Sequence, residues 1–221
     1  MGHSRPRFLS SRARSERAND VARRGNLRVS GSVRQTRLFG ANLLLERTLS
    51  VRLGQNRLVL RDRIRNDGFQ SAPFCVLYHC NFGFPLVEAG AQLSIDSTVT
   101  ARDAQAQKGL ENWARIEPPA VGFEEQVFFH ELRDAQTGRA SLWNARRKVG
   151  LEMRFVRAQL PFFTQWKMLG AGAYVLGLEP SNAPLANRKE LLERGQMPRL
   201  EAGESREFDL EWEFWSENHE K

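Results

Sequence analysis

Apolar residues recur at every second position along most of this chain. In "NLLLERTLSVRLG", Leu43, Leu45, Leu49, Val51 and Leu53 share one parity. "KVGLEMRFVR" puts Val149, Leu151, Met153 and Phe155 on one side. "REFDLEWEFW" is the cleanest case, with Phe208, Leu210, Trp212 and Phe214 alternating with Glu207, Asp209, Glu211 and Glu213. A period of two sends successive side chains to opposite faces of a strand, so the pattern predicts half-buried antiparallel strands. "NRLVLRDRIRNDG" closes on Asn66-Asp67-Gly68, which predicts a turn.

Helical periodicity is scarce. "NRKELLERG" predicts one short helix: Asn187 can cap it, Glu190 sits three residues on, and Gly195 can end it. Many strands with one or a few short helices predict an all-β fold, a large sandwich or barrel. The period-two pattern starts near Asn26, and no second domain is marked. Residues 1–24, rich in Arg and Ser, read as a flexible segment, and 25–221 as the β domain.

Charge changes this picture little once it is located. The net charge of +7 comes from 33 Lys and Arg against 26 Asp and Glu. Residues 1–24 hold seven Arg and two acids, a share of +5, which leaves +2 for the rest. The body is nearly neutral, and the basic segment lacks aromatic interleaving, so the distribution argues against a nucleic-acid surface. No apolar run approaches the ~18–20 residues of a membrane helix, and Phe8-Leu9 is too short for a signal-peptide core. A cytoplasmic protein without a membrane partner is the expectation.

Cys75 and Cys80 fall on opposite faces of a strand, so they read as two buried free thiols rather than a disulfide. His3, His79, His130 and His219 have no metal-ligand spacing, so no metal is expected. Phosphate-loop, dinucleotide, nucleophile-elbow and HExxH motifs are absent.

Four stretches could carry chemistry. In "LYHCNFGFPL", Phe74, Val76, Tyr78, Cys80 and Phe82 share a core parity, while Cys75, Leu77, His79 and Asn81 share the other. Two hydrogen-bonding groups, His79 and Asn81, thus point the same way. In "GAGAYVLGLEPSN", Glu179 ends a strip of Ala173, Val175 and Gly177, whose small side chains leave room beside the carboxylate. A carboxylate after such an apolar run needs water, a partner or a ligand. "GFEEQVFFHEL" puts Gln126 and His130 on one face and Glu125 on the other. "PFFTQWKML" offers Gln165 and Lys167 on one parity and Trp166 on the other. Trp beside polar donors suits a sugar, whose C–H face stacks while its hydroxyls hydrogen-bond.

"LYHCNFGFPLVEAGAQL", "GFEEQVFFHEL", "WKMLGAGAYVLGLEPSN" and "RGQMPRLEAGESREFDLEWEF" resemble the signature segments of a domain-of-unknown-function branch of the galactose mutarotase-like (aldose 1-epimerase) superfamily. The resemblance runs from about Gly25 to Trp215. It implies a β-supersandwich and a small-molecule sugar substrate. It implies a catalytic His–Glu pair at the matching positions, His79 in "YHCNFG" and Glu179 in "GLEPSN". His79 would act as general acid and Glu179 as general base in opening and reclosing the sugar ring, with no cofactor. Asn81, Gln126, His130, Trp166 and Lys167 are the expected sugar contacts.

The superfamily's mutarotases also supply a His and an Arg from an N-terminal part, of which this chain is short. "GHSRPRFLSSRA" is similar to that His-Gly-Arg segment, making His3 and Arg5 the candidates. The competing expectation is a carbohydrate-binding domain that keeps the fold and has lost the chemistry.

Overall fold

The computed structural model describes residues 13–14 and 25–217. His3, Arg5 and His219, and most of the expected flexible segment, lie outside the described residues.

Alternation along the chain becomes strands as expected. They are β1 (Ala13–Arg14), β2 (Asn26–Thr36), β3 (Asn42–Arg52), β4 (Arg57–Asn66), β5 (Ala72–Pro73), β6 (Cys80–Phe82), β7 (Gln92–Ser94) and β8 (Ser97–Ala101). They continue as β9 (Gln126–Leu132), β10 (Thr137–Asn144), β11 (Val149–Val156), β12 (Phe162–Gly170), β13 (Ala173–Ser181), β14 (Arg199–Leu200) and β15 (Ser205–Ser216). One sheet has the order β1-β2-β3-β4-β15-β11-β10-β7, a second β6-β13-β12-β9-β8, and β14-β5 form a small third. Each of these pairings is antiparallel.

The two large sheets turn apolar faces toward one hydrophobic cluster. The first contributes Leu60, Leu142, Leu151, Met153, Phe208 and Leu210, and the second Phe163, Leu169, Leu176 and Leu178. This is the predicted all-β sandwich. In β15 the buried parity is Phe208, Leu210 and Trp212, as the alternation predicted. Phe214 is exposed instead, because it lies one residue past Glu213, the last position of β15 paired with β4. On β2, Leu27 and Val29 keep the inward parity of Leu49 and Val51 but are exposed, because that part of the first sheet extends beyond its cover.

The predicted helix forms as α2 (Arg188–Glu193). Asn187 Oδ1 accepts from the Glu190 amide at 3.0 Å, and Gly195 ends the turn at φ +64°. A conformation of that sign costs glycine little. The connection from β8 to β9 holds a helix the alternation did not reveal, α1 (Ala104–Gln107), capped by Asp103, and a 3-10 turn at Leu110–Asn112. Cys75 is exposed rather than buried, and both cysteines are free. No helix among the described residues is long and apolar enough to cross a membrane.

Candidate active site

The stretch around His79 is an interrupted strand running beside β13. The Tyr78 amide donates to Pro180 O, Leu77 bridges Ser181, and β6 then pairs Cys80 with Leu178 and Asn81 with Gly177. Between these contacts the Cys80 amide donates to Tyr78 O at 3.0 Å, a tight kink centred on His79. The parity of the stretch survives the kink. Tyr78 turns inward, where its hydroxyl donates to Asp62 Oδ2 at 2.9 Å. Asp62 is buried and also accepts a bidentate pair from Arg47 at 2.8 and 2.6 Å. His79 turns outward, over β13.

There it meets Glu179. His79 Nε2 stands 2.9 Å from Glu179 Oε1, with the two side chains 45% and 5% exposed. Oε1 is buried and no hydrogen bond satisfies it, which leaves it able to take a proton. Burial raises the Glu179 pKa, His79 opposes that rise, and the charge of Glu125 adds to it.

Gly177 makes the meeting sterically possible. A Cβ there would stand 2.7 Å from Glu179 Oε1, 3.1 Å from Trp166 Cβ and 3.3 Å from His79 Cε1. The strip of small residues seen in the sequence thus has its crowded point at Gly177.

Trp166 forms the third side. Its β12 position pairs with Gly177, and its ring meets the His79 ring edge-on, with centroids 5.4 Å apart. Its indole Nε1 donates to Glu125 Oε2 at 2.8 Å. The other Glu125 oxygen accepts from Arg102 Nη2 at 3.0 Å, and Arg102 Nε donates to Asp103 at 2.8 Å. Asp103 in turn caps α1 through the Ala106 amide. Trp166 and Arg102 hold the Glu125 carboxyl below its ordinary value. Asn81, exposed and paired with Gly177, completes the outer face.

Three expected sugar contacts are not in this group. Gln126, His130 and Lys167 are buried on the opposite, inward face of the same sheet. Lys167 donates to Asn112 O at 2.9 Å and to Glu117 Oε2 at 3.2 Å. Gln165 donates to Trp113 O at 2.8 Å, which leaves its Oε1 to accept from His130 Nε2 at 3.1 Å. Nδ1 of His130 is then the acceptor for the Ser97 hydroxyl at 2.9 Å. Burial depresses the His130 pKa to about 4, so the ring is neutral at pH 7. Lys167 and Gln165 thus fasten two carbonyls of the β8–β9 connection to the sheet, His130 holds Gln165 in place, and the buried Gln126 Oε1 has no partner.

Glu125 and Arg102 are the members that sequence reasoning missed. The signal was available for Glu125: it stands at the opposite parity from Gln126, the parity of Val127, which pairs with Trp166. Which parity faced His79 was not readable from the alternation alone.

A cavity of about 610 Å³ lies elsewhere, on the Tyr78 side of the same stretch. Its principal polar groups, Arg47, Asp62 and Tyr78, bond to one another. That mutual pairing suits a structural contact better than proton transfer. Among the described residues no group of three or more potential metal ligands is assembled.

The family described as "Domain of unknown function (DUF4432)" matches residues 10–214. No match was found among curated proteins. Among solved structures, a candidate aldose 1-epimerase from Klebsiella pneumoniae superposes with a TM-score of 0.81 at 25% identity. The match covers 87% of this chain and 52% of the Klebsiella chain, so this chain spans about half that protein. A second candidate aldose 1-epimerase, from Escherichia coli K12, matches at TM-score 0.60 and 14% identity, over 85% of this chain and 65% of its own. A galactose mutarotase-like protein from Clostridium acetobutylicum matches at TM-score 0.58 and 13% identity, over 86% and 63%. At those identities the latter two speak for the fold.

Proposed function

The chain belongs to the DUF4432 family and to the galactose mutarotase-like superfamily, and on that premise we propose that it interconverts the anomers of an aldose by acid/base opening of the sugar ring. The observation that carries this reading is the 2.9 Å approach of His79 Nε2 to Glu179 Oε1 on an outward face beside Trp166.

A pyranose ring is opened by moving two protons. Glu179, ionised, takes the proton from the anomeric O1–H. His79, protonated, gives one to the ring oxygen as the bond from C1 to that oxygen breaks. The open aldehyde turns about C1–C2 and presents its other face. The ring then recloses, with neutral His79 taking the proton back from the attacking hydroxyl and protonated Glu179 returning one to O1. Both groups end as they began, so the cycle consumes nothing. Each positioned proton transfer typically contributes about 10²–10⁴-fold. A burial-raised carboxyl pKa makes the ionised form a stronger base. The Trp166 ring offers an apolar face for the sugar, and Asn81 a hydrogen-bonding edge.

The test is anomer exchange followed by NMR across an aldose panel, with Glu179→Gln alongside the wild type. The variant keeps the size of the side chain and loses the base. We expect exchange to fall by about 10²–10⁴-fold while calorimetric binding persists. Equal rates in the two proteins would remove Glu179 from the chemistry.

A second reading, a carbohydrate-binding domain without chemistry, draws on the openness of the site. His79 is 45% exposed and the 610 Å³ cavity lies on the other side of its strand. Sugar binding by wild type with no acceleration of exchange would select it.

A further inference from the structure

The polar groups beside the His79–Glu179 pair are of one sign, apart from a cation already engaged. Glu125 presents a half-exposed carboxylate to the indole N–H of Trp166, whose ring meets His79 edge-on. Asp103 lies next along the same rim. The cation here, Arg102, donates to both acids at once, at 3.0 and 2.8 Å. Arg102 thus pairs with Glu125 and Asp103, and with Glu179 the carboxylates outnumber this one guanidinium. Glu125 is close enough to Glu179 for its charge to be felt there.

Resting on the acid/base reading above, we propose that Glu125 is a specificity residue that makes this a site for neutral aldoses and turns away sugar phosphates and sugar acids. Each Glu125 oxygen accepts one bond from the protein, and a carboxylate has about four acceptor positions. The side chain is 49% exposed, so its remaining acceptor positions are open to a sugar hydroxyl, which is a donor. A phosphate or carboxylate on the sugar has no such proton to offer at neutral pH. It would meet net negative charge, and Arg102 could serve it only by leaving Glu125 or Asp103. Repulsion of one unit charge across several ångströms at a partly exposed site amounts to about tenfold or more in relative rate. Glu125 also fixes the Trp166 indole, so the acceptor and the stacking face are held as one unit.

The experiment compares kcat/KM for anomer exchange on neutral hexoses, their 6-phosphates and the corresponding uronates, in wild type, Glu125→Gln and Glu125→Lys. Wild type is expected to favour the neutral sugars at least tenfold. Glu125→Gln, which keeps an acceptor for Trp166, narrows that ratio, and Glu125→Lys narrows it further or inverts it. Wild-type exchange that is equal or faster on the anionic sugars overturns the specificity role and leaves the acid/base reading standing. An unchanged ratio in both variants does the same. Absence of exchange on every sugar overturns the acid/base reading itself, and this inference with it.

Discussion

Gly177 lies directly beneath Glu179: a Cβ at Gly177 would stand 2.7 Å from Oε1. The carboxylate can reach back toward His79 because the strand carries no side chain two residues earlier. The contact joins residues a hundred positions apart, and its geometry depends on a hydrogen atom at Gly177.

Gly177→Ala therefore displaces the carboxylate rather than the backbone. The methyl group would also press on Trp166 Cβ at 3.1 Å and His79 Cε1 at 3.3 Å. We expect anomer exchange to fall by about 10²-fold, the cost typical of a misplaced catalytic group. The open outer face should limit the loss of stability to about 1–3 kcal/mol. NMR exchange rates and urea denaturation of the same sample separate the two effects. Wild-type exchange in a folded variant would mean that the observed pair geometry is not the working one.

Lys167→Met separates a sugar contact from a structural role. If Lys167 held the sugar, the variant would lose binding. The structure instead gives it the Asn112 carbonyl and Glu117, inside the sandwich. Removing the ammonium leaves that buried carbonyl unpaired, at a cost of about 1–3 kcal/mol. We expect a lower denaturation midpoint and a KM within about twofold of wild type. A large KM change at unchanged stability would return Lys167 to the site.

His130 makes stability depend on pH. Its folded pKa is depressed to about 4 by burial, against 6.5 for the free side chain. Between those values the unfolded chain binds a proton that the folded one refuses. The stabilisation is therefore fully present above pH 6.5 and is lost as pH falls toward 4. A shift of that size corresponds to about 3 kcal/mol. Chemical denaturation of wild type and His130→Asn at pH 7 and pH 4.5 checks it. The variant should be weaker at pH 7 and lose less between the two conditions. Equal pH slopes would assign the acid sensitivity to other groups.

Alternation made the fold legible, and it separated His79 from Tyr78 and Glu179 from Leu178 before any contact was known. In the His79 stretch it matches exposure, with Tyr78 buried and His79 exposed, whereas in β13 Leu178 and Glu179 are both buried and parity alone tells their sides apart. It could not show that Gln126, His130 and Lys167 lie on a buried face away from His79, because long polar side chains read alike whether they meet a ligand or, as Lys167 does, a connection's carbonyl. Leu27 and Val29 have core parity without core burial, since parity reports the side of a sheet and not what covers it. Arg102 was beyond reach, because its partners are Asp103 at the start of α1 and Glu125 just before β9, and its own neighbourhood carries no pattern.

Glu125→Gln should move the pH profile of exchange in a defined direction. The Glu179 pKa is raised first by burial and also by the charge of Glu125, while His79 lowers it. Arg102 and Asp103 face Glu125 from the β8–β9 connection. Replacing Glu125 removes a negative charge that opposes ionisation of Glu179. It also leaves Arg102 less compensated, and a freer positive charge nearby favours the carboxylate too. Both changes lower the Glu179 pKa. The base form then survives to lower pH, so the acid limb of kcat/KM should shift toward acid, by less than the whole displacement because burial remains. The measurement is the rate profile from pH 4 to 8 on one neutral aldose. A limb that moves toward neutral pH, or does not move, would show that Glu179 is not the group whose protonation stops the reaction.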